Sequence, residues 1–191
     1  MPLTLLYVPA DRPDRVAKAL ATTADVVIVD LEDAVAPANK AAARAATAGL
    51  LAGRSGVARV QVRVNDVRTP DGRADLRELG GLLAAAAGLR LPKIESAAEV
   101  VAVAEALPGV PLHPLIESAL GVERAFEIAT ACDAVASVGL GEADLRADLG
   151  VTGEDGLVWV RARIVVAARA AGLPAPAQSV FPDVRDLEGL A

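Results

Sequence analysis

The chain has 191 residues, of which 53% are hydrophobic and 2% aromatic, and its formal net charge is −6. This length and hydrophobic content allow one sizeable core, so the composition favours a single folded domain over a disordered chain. The negative charge argues against a general binder of nucleic acid or of membrane surfaces. The single cysteine excludes an intrachain disulfide and a zinc site built from several thiolates.

The sequence does not show the pattern of a signal peptide or of a membrane-spanning helix. The start, MPLTLLYVPADR, has neither a basic region nor a long apolar stretch, so a signal peptide is not predicted. The most apolar stretch, residues 157–171, is interrupted by Arg161, Arg163 and Arg169, so no membrane span is predicted. We therefore expect a cytoplasmic protein without a membrane or nucleic-acid partner.

Seven short apolar runs are predicted strands, and Ala-rich helical stretches separate them. Continuous apolar runs are typical of strands that are buried on both faces of a parallel sheet. The predicted strands are residues 3–8, 26–31, 59–64, 89–94, 112–116, 134–138 and 178–180. One predicted helix begins at Pro13, and three others cover residues 39–52, 97–107 and 154–171. Ser96 and Glu99 form a capping-box pattern at the start of the third helix.

Repeated β-α units form either an open doubly wound sheet or a (β/α)₈ barrel. A dinucleotide-binding doubly wound fold needs a Gly-rich turn after the first strand, and here the turn reads VPADRPDR. The predicted fold class is therefore α/β, a TIM-type (β/α) barrel. Such barrels typically need about 250 residues and eight strands. With about seven strands predicted, either the barrel is open or the chain is a shortened form.

Two predicted strand ends carry a carboxylate directly after an apolar run. Glu117 lies in PLIESALG, and Asp144 lies in GLGEADLRADLG. In parallel α/β proteins, active sites are built at the carboxyl ends of strands. Two carboxylates that converge there suit a hard divalent cation such as Mg²⁺. These positions alone also allow a simpler reading, in which both carboxylates cap helices that follow the strands.

The polar strand ends resemble those of a known family when they are taken in chain order. The five segments are YVPADRPDR, VVIVDLEDAV, VQVRVND, PLIESALG and SVGLGEADL, and LPKIES and SVFPDVRDLEGL accompany them. Together they resemble the citrate lyase beta-subunit-like branch of the HpcH/HpaI aldolase family. The resemblance runs over residues 3 to about 189. It implies a barrel of the phosphoenolpyruvate/pyruvate type that assembles as a homotrimer.

The resemblance also implies a chemistry. Members of this branch are Mg²⁺-dependent carbon–carbon lyases that cleave CoA esters such as citryl-, malyl- or citramalyl-CoA to an acyl-CoA and a 2-oxo acid. By this resemblance, the family's metal ligands correspond to Glu117 and Asp144, and its substrate-binding arginine corresponds to Arg63. Glu32 and Asp33 correspond to the residues that border the metal. The residues near the CoA phosphates correspond to Arg12, Arg15 and Lys18.

These residue types fit the implied roles. Mg²⁺ needs only one or two protein carboxylates, because it keeps other positions for water and substrate. Arg63 can clamp a carboxylate through two parallel hydrogen bonds, which a lysine cannot do. An alternative is that Arg63 is an ordinary ion-pair partner of Asp66 or Asp33. The basic residues near the first helix start suit an anionic phosphate tail, although a solvated helix face is the alternative.

We expect one barrel domain over residues 1–191 that lacks the family's last strand, with its His-Pro motif, and the C-terminal lid. In the family's lyases, the lid closes over a neighbouring subunit's site and supplies an acidic acid/base residue. This difference motivates a second hypothesis, a catalytically weak binding subunit that retains the Mg²⁺ and 2-oxo acid site. Hydrolysis of the thioester, as in a CoA thioesterase, is a further variant.

Overall fold

The computed structural model describes residues 4–53, 57–177, 179–180, 185–186 and 188. Six strands form one parallel sheet, and their order in the sheet is their order in the chain. The strands are β1 (Leu5–Pro9), β2 (Val26–Asp30), β3 (Val57–Arg63), β4 (Ala86–Leu91), β5 (Leu112–Ile116) and β6 (Gly139–Leu140).

Helices connect the strands, and several begin where the sequence predicts. The α-helices are α1 (Pro13–Leu20), α2 (Lys40–Ala52), α3 (Pro70–Leu79), α4 (Ala97–Ala106), α5 (Ala119–Glu123), α6 (Ala125–Ala129), α7 (Glu142–Leu149) and α8 (Asp155–Ala170). Short 3₁₀ helices, Pro37–Asn39 and Gly80–Ala85, precede α2 and β4. The predicted capping box is present, since Ser96 and Glu99 each accept a hydrogen bond from the other's backbone N–H.

The sequential strand order decides between the two architectures that the sequence allows. A doubly wound sheet reverses its strand order at a switch point, whereas a (β/α) barrel adds each strand beside the previous one. The barrel-type winding is therefore confirmed, with six strands in the described part of the chain. None of the described helices has both the length and the apolar character needed to cross a membrane.

Two strands differ from their predicted positions for local reasons. β4 ends at Leu91 instead of continuing to residue 94, because Lys93 adopts a φ of 56°, which is incompatible with an extended strand. The predicted strand 134–138 is reduced to one isolated bridge, from Val135 to Leu112. The ladder resumes where Gly139 pairs with Leu115, and the extra residue on this side interrupts the pairing as a β-bulge does.

The seventh predicted strand, 178–180, has no counterpart in the described structure. Gln178 lies outside the described residues, while Ser179 and Val180 are described and are not in a strand.

The sheet has one apolar face and one polar face, because alternate residues of a strand point to opposite sides. Val27, Val29, Val60 and Val62 are buried in the hydrophobic core. The opposite face carries a row of polar residues that are register neighbours on four adjacent strands: Asp30, Arg63, Arg90 and His113. Asp30 and Arg63 are the last residues of β2 and β3, so at these two residues the polar row reaches the carboxyl edge of the sheet, where the candidate site lies.

A buried ion pair fixes the segment that follows β3. The fully buried Asp75 of α3 accepts a hydrogen bond from Nε of Arg44 on α2 at 2.7 Å. The same carboxylate accepts hydrogen bonds from the backbone N–H and the side chain of Asn65, at 2.8 and 2.7 Å. Asp75 therefore ties α2, α3 and the residues after Arg63 to one another.

We expect Asp75→Ala to lower the free energy of unfolding by about 3 kcal/mol, because it leaves the buried Arg44 without its nearest carboxylate. Urea unfolding at neutral pH measures the change. Glu78→Ala is the matched control: its half-exposed carboxylate lies 3.8 Å from Arg44, so its loss should cost less than about 1 kcal/mol. Equal costs for the two variants would contradict the anchoring role of Asp75.

Candidate metal and substrate site

Six charged side chains meet at the edge of the sheet where the strands end. The carboxyl ends of neighbouring parallel strands share one edge, so residues far apart in sequence converge there. Glu32 and Asp33 follow β2, Arg63 ends β3, Lys93 follows β4, Glu117 follows β5, and Asp144 lies in the first turn of α7 after β6. All five residues that the sequence predicts for the metal and substrate positions are therefore in one cluster.

Asp30 orients Arg63. Both residues are register neighbours on β2 and β3. Asp30 accepts two hydrogen bonds from Arg63, from Nε at 2.8 Å and from Nη2 at 2.6 Å. This leaves Nη1 directed to Glu32 Oε2 at 2.9 Å and to Asp33 Oδ2 at 3.6 Å. Burial opposes the charge on the guanidinium, but the Asp30 hydrogen bonds raise the pKa of Arg63 on balance, so it stays cationic.

Lys93 lies at the centre of the carboxylates. Its Nζ is 2.5 Å from Glu32 Oε1 and 2.6 Å from Asp144 Oδ2. The nearest carboxylate oxygens of Glu117 and Asp33 are each 3.9 Å from the same nitrogen. Burial opposes this charge, but Asp144 and Glu32 raise the pKa of Lys93 on balance. The four carboxylates therefore surround one position, which a cation already fills.

Glu117 is buried between the loop after β4 and the start of α7. Its Oε2 accepts a hydrogen bond from the backbone N–H of Lys93 at 2.9 Å. Its Oε1 packs against Gly141, where a Cβ would lie only 1.9 Å away. Burial, reinforced by the charge of Glu32, raises the pKa of Glu117 to about 7. A buried carboxyl that titrates near neutrality is typical of functional sites.

The donor set suits a hard divalent cation. One carboxylate oxygen from each of Glu32, Asp33 and Asp144 lies within 4.8 Å of the others. Glu32 Oε2 is buried and accepts no hydrogen bond among the described residues, although Arg63 Nη1 is near. Burial raises the pKa of Glu32 on balance, although the charges of Lys93 and Arg63 oppose this shift. Oxygen ligands of this kind are those that Mg²⁺ prefers.

The three basic residues expected near the CoA phosphates lie on a different part of the same edge. Arg12 precedes α1, and Arg15 and Lys18 lie on α1, which begins soon after the carboxyl end of β1. All three are exposed, and Arg12 forms an ion pair with Asp14 at 3.2 Å. None of the three contacts the carboxylate cluster in the described structure.

A chain of polar side chains crosses the sheet below the cluster. Arg90 donates to Gln61 at 2.8 Å, Gln61 contacts His113 at 3.1 Å, and His113 contacts Ser137 at 2.8 Å. The ring of Tyr7 lies beside both arginines of this face, 5.2 Å from Arg63 and 6.0 Å from Arg90. Burial and the charge of Arg90 lower the pKa of His113 to about 4, so the histidine is a neutral packed residue.

The sequence assigns no role to two residues of the site. Asp30 lies outside the six-residue cluster but orients Arg63, and in the sequence it is one of three acidic residues, with Glu32 and Asp33, that could also begin a polar loop. Lys93 falls in LPKIES, which carries the family resemblance but suggests no role by itself. The predicted strand 89–94 includes Lys93, so the strand-end criterion that selects Glu117 does not select it; only the earlier end of β4 at Leu91 places Lys93 after a strand.

The fold and the site define an α/β protein of the barrel type, with a cluster of carboxylates at the carboxyl ends of its strands whose oxygen atoms suit a divalent cation. The family model HpcH/HpaI aldolase/citrate lyase matches residues 3–191, so the chain belongs to this family.

Relatives with curated names extend the comparison. The chain is 42% identical over 193 residues to a citrate lyase subunit beta-like protein of Mycobacterium tuberculosis, covering 97% of this chain and 66% of the relative. It is 36% identical over 191 residues to a (3S)-malyl-CoA thioesterase of Cereibacter sphaeroides, covering 98% and 66% respectively. The chain thus spans about two thirds of the length of these relatives.

A solved structure agrees in fold. The citrate lyase beta subunit of M. tuberculosis, complexed with oxaloacetate and magnesium, superposes with a TM-score of 0.82 at 41% identity. The match covers 99% of this chain and 83% of that chain. The expected TIM-type barrel fold and the expected family are both confirmed.

We expect Gly141→Ala to displace the Glu117 carboxylate, because the new methyl group would lie 1.9 Å from Oε1. The free energy of unfolding of the variant should be lower by about 1–3 kcal/mol, the usual cost of overpacking. Thermal and urea unfolding measure this loss. Gly153→Ala is the control, since a Cβ there meets no atom within 4 Å. A variant at Gly141 that is as stable as this control would show that Glu117 lies elsewhere.

The raised pKa of Glu117 makes the stability of the metal-free protein depend on pH. Between pH 4.5 and 7, the unfolded chain loses the Glu117 proton while the folded chain keeps it, so stability falls as pH rises. Glu117→Gln has no such proton. We expect its free energy of unfolding, relative to the wild type, to rise by about 3 kcal/mol between pH 4.5 and pH 8.

Urea unfolding in the presence of a chelator, repeated across this pH range, measures the difference. Glu105→Gln is the control, since it removes an exposed carboxylate from α4. A relative stability of Glu117→Gln that is independent of pH would contradict the raised pKa.

Proposed function

We propose that the protein is a Mg²⁺-dependent carbon–carbon lyase that cleaves a 3-hydroxyacyl-CoA of the citryl-, malyl- or citramalyl-CoA type. The products are an acyl-CoA and a 2-oxo acid. The observation that carries this proposal is the set of four carboxylates around one cation position, with the guanidinium of Arg63 beside it. The relatives named for citrate lyase and for malyl-CoA, and the relative solved with oxaloacetate and magnesium, support it.

Glu117 and Asp144 are the proposed ligands of the metal, and Glu32 and Asp33 border it. Glu117 is held on two sides, by the Lys93 backbone N–H and by the surface of Gly141. The Asp144 carboxylate is more exposed than that of Glu117, so it faces the side from which a ligand arrives. Mg²⁺ at this position would supply a Lewis acid for the carboxylate and carbonyl oxygens of the 2-oxo acid.

Arg63 is the proposed anchor for the substrate carboxylate. Asp30 takes the hydrogen bonds of Nε and Nη2, so the guanidinium plane is fixed and Nη1 faces the cluster. A fixed guanidinium pays little conformational entropy when it binds a carboxylate, which favours precise positioning of the scissile bond. The carboxylates of Glu32 and Asp33 limit where Nη1 can point.

The proposed reaction is a retro-Claisen cleavage. The C3 hydroxyl loses its proton, and the C2–C3 bond breaks with its electron pair moving to C2. C3 becomes the carbonyl carbon of the 2-oxo acid, and the thioester enolate takes up a proton to give the acyl-CoA. The exposed basic residues Arg12, Arg15 and Lys18 would bind the CoA phosphates beside the start of α1.

Thioester hydrolysis is the second candidate, and the thioesterase relative at 36% identity favours it specifically. The two reactions differ in their products. Hydrolysis breaks the bond between the thioester carbon and sulfur, releases the CoA thiol and leaves the C2–C3 bond intact. Lyase action releases a 2-oxo acid and leaves the thioester in the acyl-CoA.

We expect wild-type protein to bind oxaloacetate only with Mg²⁺, and we expect Glu117→Ala and Asp144→Ala each to abolish this Mg²⁺-dependent binding while the protein stays folded. The loss should exceed the roughly 10–100-fold cost of removing an outer partner of a metal ligand. Calorimetry with oxaloacetate, with and without Mg²⁺, measures it. Glu105→Ala, which removes an exposed carboxylate from α4, is the matched control. Wild-type binding by both site variants would show that the proposed site is wrong.

An activity assay separates the candidate functions. The purified protein is mixed with malyl-, citramalyl- and citryl-CoA in the presence of Mg²⁺, and both the 2-oxo acid and the free CoA thiol are followed. Release of the 2-oxo acid supports the lyase, and release of thiol alone supports the thioesterase. No turnover of any ester, together with intact oxaloacetate binding, would instead support a binding subunit and contradict the proposed lyase.

A further inference from the structure

We propose that Lys93 is the built-in counter-ion of the acidic site: its ammonium group fills the cation position in the metal-free protein and must leave Asp144 before a divalent cation binds. Lys93 would thereby set the affinity of the site for metal. The inference rests on the metal site of the proposed function, and it adds a residue to which neither the sequence motifs nor the comparisons assign a role.

Nζ of Lys93 lies among all four carboxylates of the cluster. Nζ is closest to the carboxylates of Glu32 and Asp144, and it lies at equal distances from those of Glu117 and Asp33. No other lysine or arginine of the described residues forms an ion pair with Glu117 or Asp144 at 4.0 Å or less. Without Lys93, these carboxylates would repel one another with little compensation.

The ammonium group of Lys93 and a metal ion at Asp144 exclude each other. Mg²⁺ binds oxygen at about 2.0–2.1 Å, so a metal held by Asp144 would occupy the space that Nζ holds at 2.6 Å from the same carboxylate. Two cations at such a separation also repel strongly in a partly buried site. Metal binding therefore requires the bond between Lys93 and Asp144 to break.

The side chain of Lys93 can leave Asp144 and still keep a carboxylate partner. Its bond to Glu32 Oε1 does not involve Asp144, so this bond can remain when the contact with Asp144 breaks. The side chain of Lys93 is one-third exposed, so it can move toward Glu32 or solvent. The carboxylates then divide by role: Glu32 keeps the ammonium, while Glu117 and Asp144 take the metal.

The backbone supports this division. Lys93 is the one non-glycine residue of the described chain with a positive φ, a conformation that L-residues rarely adopt. In this conformation its N–H reaches Glu117 Oε2, while its side chain reaches Glu32 and Asp144. Because the backbone N–H holds Glu117 whether or not the ammonium moves, one metal ligand stays in place during the exchange.

The test is calorimetric titration with Mg²⁺ alone of the wild type, Lys93→Met and Lys93→Gln. We expect the Kd for Mg²⁺ to fall on the order of tenfold in both variants, since a competing cation is lost and the site becomes more negative. Lys93→Arg keeps the charge and should remain within about threefold of the wild type. Arg77→Met removes the same charge from an exposed position on α3 and should leave Kd unchanged.

A merely structural lysine gives the opposite result, because its loss would disorder the carboxylates and weaken metal binding. An unchanged or raised Kd in Lys93→Met and Lys93→Gln therefore overturns the proposal, while wild-type Mg²⁺ binding leaves the metal site of the proposed function standing. Binding by these variants but not by the wild type supports Lys93 as the occupant and contradicts the proposed function. Absence of binding in every protein overturns both.

A measurement on the wild type covers the case in which the variants do not fold. The chain has three lysines, Lys18, Lys40 and Lys93, so labelling of lysine Cε gives a spectrum of three signals. We expect Mg²⁺ to shift the Lys93 signal markedly and to leave that of the exposed Lys18 in place. Saturation with Mg²⁺ without a shift of the Lys93 signal would overturn the exchange.

Discussion

The ion pair between Asp30 and Arg63 is the contact on which the geometry of the acidic edge depends. Both residues lie on adjacent parallel strands in direct register, and both are largely buried. A buried charge is tolerated only when a partner and further hydrogen bonds compensate it. Asp30 provides this for Arg63 and also accepts backbone hydrogen bonds from Glu32 and Ala34. The pair thus fixes both the arginine and the loop that presents Glu32.

The rest of the site follows from an unequal distribution of charge. Four carboxylates share the edge with two cations, Arg63 and Lys93, and the first is already committed to Asp30. Burial is the main reason why the pKa values of Glu32 and Glu117 are raised, and the neighbouring carboxylates add to it. A site with surplus negative charge and oxygen donors attracts a divalent cation, and the proposed exchange with Lys93 moderates that attraction.

Much of the fold was predictable because its signals are local. Continuous apolar runs located β2 and β5 to within one residue, and Pro13 and the Ser96 capping box located two helix starts. The boundaries of β4 and β6 were not predictable, because they depend on non-local geometry. The left-handed Lys93 ends β4, and one extra residue relative to β5 splits β6. Strand propensity predicts neither feature, because the residues involved otherwise favour a strand.

The sequence by itself determined the family, the parallel α/β class and the identity of Glu32, Arg63, Glu117 and Asp144 as site candidates, because strand-end motifs persist as short local patterns. Only the tertiary structure decided which residues these side chains contact. Asp30 holds Arg63, Glu117 packs against Gly141, and Lys93 lies between Glu32 and Asp144. Those relations arise from strand register and from the burial of charges that are distant in sequence, and no local pattern encodes them.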